Sequence, residues 1–218
     1  MINIDYRNSK FYECDYSHIL ADKEKFLQEF IERHPAANSE KIYTYVNRRL
    51  SHDNKAFREI YFKKCAYCGV PMSLYHYSNY QIDHFVAQAN VGTHTNIEIH
   101  NVRNLVFSCE LCNQSKKALD YSTSEDAEIL HPDNNKLPEI YRRDDDFKII
   151  ISEEYRENET VTEFYKKLKL GSQSKRVAYV IMAVNDFVQK YPENPASAEL
   201  KIRLDIIREK WNEGEFVD

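Results

Sequence analysis

Two cysteine pairs, Cys65-Ala-Tyr-Cys68 and Cys109-Glu-Leu-Cys112, are the first residues in this chain whose spacing could do chemistry. Two residues between paired cysteines let both sulfurs face one point, and two such pairs supply the four thiolates of a tetrahedral Zn2+ site. Gly69 follows the first pair and relieves its tight exit. Four sulfurs leave no open coordination position, so this site reads as structural. A redox C-x-x-C would need a thioredoxin-like βαβ context, which the flanking sequence lacks. The fifth cysteine, Cys14, reads as a small buried hydrophobe.

Forty residues separate Cys68 from Cys109, whereas zinc ribbons and fingers place about 12 to 20 between their pairs. The insert contains YQIDHF, with Asp83 and His84 adjacent at the end of a short apolar run, and Asn113 stands directly behind the second pair. Asp83 and Asn113 carry the hard oxygens that Mg2+ or Mn2+ prefer, and His84 can be a neutral base near pH 7. A strand pair followed by a helix can bring the three together. A divalent cation beside a base is what phosphodiester hydrolysis requires.

The order C-x-x-C, Asp-His, Asn-Leu-Val-Phe, C-x-x-C-Asn-x-x-Lys resembles the zinc-bearing HNH endonucleases of the ββα-metal type over about residues 63–120. The resemblance implies that Asp83 is a metal ligand and that His84 is the general base that activates water. It makes Asn104 the middle Asn, which holds the loop between the strands so that the base points correctly. Asn101 could take that place, but Leu105, Val106 and Phe107 follow Asn104 as the strand into the second pair. Asn113 falls at the second protein ligand to the metal, and Lys116, with Lys117 beside it, falls where a basic residue faces phosphate. Three positions depart from the family pattern. Ala87 replaces a common Pro, NVGTHTNIEIHN with Gly92 replaces a Gly-rich turn, and Asn113 replaces the more frequent His. An amide oxygen is still a neutral hard ligand.

The elements that must position these residues are mostly helical. Asp22 reads as an N-cap, with Phe26, Leu27, Phe30 and Ile31 on one face and Pro35 as the stop. Ser39 opens a second helix carrying Ile42, Tyr45, Val46 and Leu50, and Asp53 caps a third with Phe57, Ile60 and Tyr61. Beyond Asp120 the chain reads as an irregular connection up to a strand in DFKIIIS. Three helices then follow. TVTEFYKKLKL stops at Gly171, SKRVAYVIMAVNDFVQKY starts at a Ser cap and stops before Pro192, and the last carries a stripe of Leu200, Leu204, Ile207 and Trp211. The expected fold is α+β and mostly helical. A ββα-metal HNH core stapled by the four-cysteine zinc site occupies residues 63–120, between a helical lead-in at 1–62 and a helical region at 121–218.

A hydrophobic share of 42% provides a core, and only 4 Gly and 6 Pro argue against a turn-rich sandwich. No apolar run is long enough for a membrane span, and MINIDYRNSK has no apolar signal region, so the expectation is a cytoplasmic protein. A net charge of −5 argues against wholesale wrapping of nucleic acid. The stretch KKLKLGSQSKR could still follow a phosphate backbone through Lys166, Lys167, Lys175 and Arg176. Tyr6, Tyr12 and Tyr16 could stack bases, although packing is their commoner use. His76, His94 and His100 read as loop residues without a role.

The expected function is therefore a metal-dependent endonuclease acting on nucleic acid, DNA first, with structural Zn2+ and catalytic Mg2+ or Mn2+. The competing class is a non-catalytic zinc-stabilised adaptor for nucleic acid or protein. The layout, with helices on both sides of the core and the RRDDDFKIIIS-to-FYKKLKL stretch, is also similar to stand-alone HNH effectors of bacterial anti-phage defence, the PtuB-like (Septu) type. That similarity implies an ATPase partner.

Overall fold

A computed structural model describes residues 5–37, 41–74, 77–87, 100–117, 119 and 124–216. Helix α1 (Ile19–Arg33) turns Ile19, Phe26 and Phe30 inward, each such burial contributing about 1.5–3 kcal/mol. It starts three residues before Asp22, because a 3-10 turn at Tyr16–His18, capped by the Asp15 carboxylate, leads directly into it. Helix α2 (Ile42–Asn47) and helix α3 (His52–Ile60) complete the N-terminal block. The Ser39 expected to open α2 lies outside the described residues. The cap of α3 is Ser51, whose hydroxyl accepts from Asn54 N, rather than Asp53. Asp53 turns back on α1 instead, where Arg33 and His34 bind it at 2.9 and 3.0 Å.

Strand β1 (Tyr80–His84) pairs antiparallel with β2 (Leu105–Cys109), matching Asp83 to Val106 and His84 to Leu105. Helix α4 (Glu110–Lys116) follows β2 without a break, which gives the expected ββα order. The expected irregular stretch after Asp120 instead holds helices α5 (Ser124–Leu130) and α6 (Leu137–Ile140). Tertiary burial of Ala127, Leu130, Leu137 and Ile140 fixes these two short helices; helices this short have little stability of their own. Strand β3 (Tyr141–Arg143), which no periodicity marked, pairs with β4 (Ile149–Ile151). Helices α7 (Glu159–Lys167), α8 (Gln173–Lys190) and α9 (Pro195–Asn212) close the chain. Helix α8 is capped by Ser172, whose hydroxyl accepts from Lys175 N. Of the expected stripe on α9, Leu204 is buried.

One hydrophobic cluster runs from Tyr6 and Phe30 through Phe107 to Leu137, Phe164 and Ala178, and Trp211 of α9 packs against it. The polar N-terminal stretch belongs to it. Arg7 is fully buried, bound to Asp5 at 2.7 Å, and donates to the carbonyls of Ala66 and Pro132. Its guanidinium lies over the Tyr16 ring, so Tyr6 and Tyr16 are core residues, while Tyr12 is exposed. Cys14 is buried, as expected. No helix among the described residues is long and apolar enough to cross a membrane.

Candidate active site and metal centre

The two cysteine pairs converge. Cys65 and Cys68 sit in a tight turn in which Gly69 N donates to Cys65 O and Ala66 N donates to Phe107 O, tying the turn to β2. Gly69 has φ +74, and a Cβ there would stand 2.6 Å from Arg7 Cα, so only glycine fits. Cys109 ends β2 and Cys112 lies in the first turn of α4. All four cysteines are buried and free of disulfides, and their sulfurs lie within 4.8 Å of one another. The Cys68–Cys109 sulfur separation is 3.9 Å. Tetrahedral Zn–S bonds of about 2.3 Å require about 3.8 Å between sulfurs, so the donor set fits zinc.

A tetrathiolate around Zn2+ is net negative, and a buried cation faces it. Lys175 of α8 is buried, with its ammonium on the carbonyls of Leu168 and Lys169. Burial pushes its pKa down, but the four cysteine sulfurs outweigh burial and hold it above the ordinary lysine value. The expected phosphate contact through Lys175 is therefore corrected, because its charge is used inside the protein. Lys166 and Lys167 are exposed on α7, and Arg176 is half-buried near Asp146 at 3.7 Å.

Asn104 is completely buried at the entrance to β2. Its Oδ1 accepts from Val86 N at 2.8 Å, its Nδ2 donates to Val86 O at 3.1 Å, and its own carbonyl accepts from Phe85 N. This two-sided grip fixes the backbone just beyond His84. Asn101 has a different task, accepting from Arg103 N to cap the 3-10 turn at Val102–Asn104.

Two elements meet at Asp83: Tyr67 of the first cysteine turn donates to its Oδ2 at 2.6 Å, and the Lys116 ammonium of α4 pairs with the same oxygen at 3.3 Å. Its Oδ1 has no hydrogen-bond partner among the described residues. Burial raises the Asp83 pKa, and Lys116 and the Tyr67 hydroxyl oppose that rise. Lys116 is itself fully buried and donates to the carbonyls of His84 and Phe85, both at 3.0 Å. It thus clamps the end of β1, and its expected place on phosphate is corrected by that burial. Lys117, the next residue, is exposed with φ +48.

Asn113 lies on the same side of the sheet, with Nδ2 donating to Gln81 Oε1 at 2.6 Å. Gln81 and Asp83 alternate onto one face of β1, so α4 lays Asn113 beside the first and Lys116 beside the second. The His84 ring packs on Tyr43 of α2 with centroids 4.3 Å apart, and its Nε2 is 3.4 Å from His100 Nδ1. Burial, then the His100 and Lys116 charges, lower the His84 pKa to about 4, so its imidazole is neutral at pH 7. Tyr43, His100 and Tyr67 were not assigned to the site from sequence. Tyr43 and Tyr67 sit among 16 tyrosines, and only the folded arrangement singles them out. His76, His94 and Gly92 lie outside the described residues.

The arrangement is a neutral imidazole at the end of a strand, a carboxylate with one open oxygen, and an amide directly behind a zinc knuckle. Residues 65–119 match the HNH endonuclease family model, about a quarter of the chain. No curated protein and no solved structure matches the chain. The match and the cysteine cluster agree on one segment, and that segment is similar to a nuclease domain.

Proposed function

We propose that the protein is a metal-dependent endonuclease that hydrolyses phosphodiester bonds of nucleic acid, with DNA as the first substrate to test. The observation that carries this reading is the grip of Asn104 on Val86, which holds His84 at the strand end within a segment matching the HNH family. His84 takes a proton from water, and the water oxygen bonds to phosphorus in line with the departing 3′ oxygen. That P–O bond breaks, the 3′ oxygen gains a proton from solvent, and 5′-phosphate and 3′-hydroxyl ends result. Asp83 and Asn113 would hold Mg2+ or Mn2+, which supplies positive charge to the phosphate oxygens. The donor set suits a hard cation, because Asp83 Oδ1 and Asn113 Oδ1 both lack hydrogen-bond partners among the described residues. Lys116 fixes the His84 and Phe85 carbonyls, and the Tyr43 ring limits where the imidazole can turn.

The test is nicking of supercoiled plasmid with Mg2+ or Mn2+. His84→Ala should lower the rate by about 100-fold or more, with zinc content and unfolding midpoint unchanged. If the wild type and His84→Ala bind nucleic acid alike and neither cuts with any divalent metal, the adaptor reading replaces this one. A finer reading makes the protein an anti-phage effector that works with an ATPase. It is supported by the helices on both sides of the core and the acidic net charge, and is tested by co-purification with an ATPase encoded beside it.

A further inference from the structure

Next to the candidate reacting centre lies a polar cleft of about 570 Å3, walled by α2, the start of α3, β1 and α4. Tyr80, Gln81 and Ile82 of β1 and Phe107 of β2 line it, and among the described residues β1 pairs with β2 alone. We propose that this cleft is the subsite for the nucleotide next to the scissile phosphate, its base turned into the cleft. The inference rests on the nuclease reading above and names where that nuclease holds its substrate.

Position is the first argument. Tyr43 lines the cleft and also carries the His84 ring on its face, and Asn113 lines the cleft from α4. A ligand seated here therefore touches both the support of the base and one candidate cation ligand. Chemistry is the second argument. Arg49 lines the cleft, and no acidic side chain among the described residues does. One guanidinium nitrogen of Arg49 donates to Ser78 O at 3.0 Å, which steadies the exposed side chain and leaves its remaining N–H groups for phosphate. Two amides complete the polar lining. Asn47 is exposed, with Nδ2 in a long 3.4 Å contact to the Tyr43 hydroxyl. Gln81 uses Oε1 to accept from Asn113, and its Nε2 has no partner among the described residues. Amide side chains pair with base edges, adenine N6 and N7 being the best match. Size is the third argument, since about 570 Å3 falls in the range of small-molecule sites, about 300–1,000 Å3.

The consequence is a division of labour. The N-terminal helices, which lie outside the matched residues 65–119, supply Tyr43 and Asn47, and the turn after α2 supplies Arg49, to hold the substrate. The strand and α4 supply the groups that cut it.

The experiment uses the full-length protein and a fluorescein-labelled single-stranded oligonucleotide with one mapped cut site. Binding is followed by anisotropy in the His84→Ala background and cleavage in the wild-type background. Arg49→Ala should weaken binding about tenfold, reduce the slope of log K against log salt by about one, and raise KM with kcat within about twofold. Asn47→Ala should erase the loss that an abasic nucleotide beside the cut causes in the wild type. Arg49→Lys should recover part of the affinity, and Arg203→Ala, on exposed α9, should change nothing. Unchanged affinity, salt slope and KM in a folded Arg49→Ala protein with full zinc content would overturn the inference and leave the nuclease reading standing. If the wild type never cuts but Arg49→Ala still loses affinity, the nuclease reading fails and the cleft assignment holds. Absence of both binding and cutting ends both.

Discussion

Lys23 of α1 and Lys116 of α4 are both buried, both pair with an aspartate, and both donate to main-chain carbonyls where β1 ends and β2 begins. Lys23 reaches Leu105 O and Arg103 O on the β2 side, and Lys116 reaches His84 O and Phe85 O on the β1 side. His84 and Leu105 are register partners, so the two ammonium groups each hold one strand of the same rung. The difference lies in the aspartates. Asp133 has both oxygens engaged, Oδ2 by Lys23 and Oδ1 by the Tyr61 hydroxyl at 2.9 Å. Asp83 gathers Tyr67 and Lys116 onto Oδ2 and keeps Oδ1 open among the described residues. A buried charge is costly unless its lone pairs are filled. The filled pair serves as a staple, whereas the half-filled one leaves an oxygen that, in the reading proposed above, would take the cation.

The largest effect that would break this comparison comes from removing each carboxylate. Asp133→Asn leaves Lys23 as an uncompensated buried charge and should cost about 3–5 kcal/mol in urea unfolding, with cleavage by the remaining folded protein intact. Asp83→Asn should cost roughly half as much, because its 3.3 Å pair with Lys116 is longer than the Lys23–Asp133 pair and only one of its oxygens has partners to lose among the described residues. It should nevertheless lower cleavage by about 100-fold or more. Equal stability losses, or equal losses of activity, would remove the distinction between staple and site.

Sequence spacing carried the reading where the chemistry is local. Two C-x-x-C pairs forecast the sulfur cluster, and Leu105, Val106 and Phe107 forecast the strand that leads into the second pair. Long-range partners left no such trace. Lys116 reads as a phosphate contact from the family resemblance and Lys175 from its basic stretch, and only tertiary structure shows carbonyls and cysteine sulfurs waiting for them inside. Tyr43 reaches His84 from 41 residues away, and its neighbours on α2 had already accounted for the apolar face. Helices α5 and α6 are too short to show a period, and packing creates them.

The closed side also carries a titration. His131 accepts from Asp133 N through Nδ1, and its other ring nitrogen lies 3.0 Å from Arg103 O. Burial lowers its pKa to about 4, with Asp133 opposing that fall and Lys23 adding to it. Because the unfolded chain binds this proton more tightly, stability contributed by neutral His131 is complete above about pH 6.5. It is lost as pH falls toward 4, by about 3 kcal/mol in total. Urea midpoints for the wild type should therefore drop over this window more than those of His131→Gln. Parallel pH profiles for the two proteins would show that the histidine is not held neutral by the staple.

The smallest change separates the pairs one hydroxyl at a time. Tyr61→Phe removes the donor on Asp133 Oδ1, and Tyr67→Phe removes the 2.6 Å donor on Asp83 Oδ2. Each loses a hydrogen bond to a charged acceptor and should cost about 1.5–2 kcal/mol, measured by thermal unfolding. Their effects on cleavage should diverge. In Tyr61→Phe, Asp133 still holds Lys23, the rung beneath His84 stays in register, and the rate should remain within about twofold of wild type. In Tyr67→Phe the Asp83 carboxylate keeps only Lys116 on one oxygen and can turn, which moves Oδ1 away from its place beside α4. A displacement of that kind in a group that positions a reacting centre should cost about tenfold or more in kcat. Matching kcat values for the two variants would mean that the open oxygen of Asp83 has no part in the reaction, whatever it contributes to the fold.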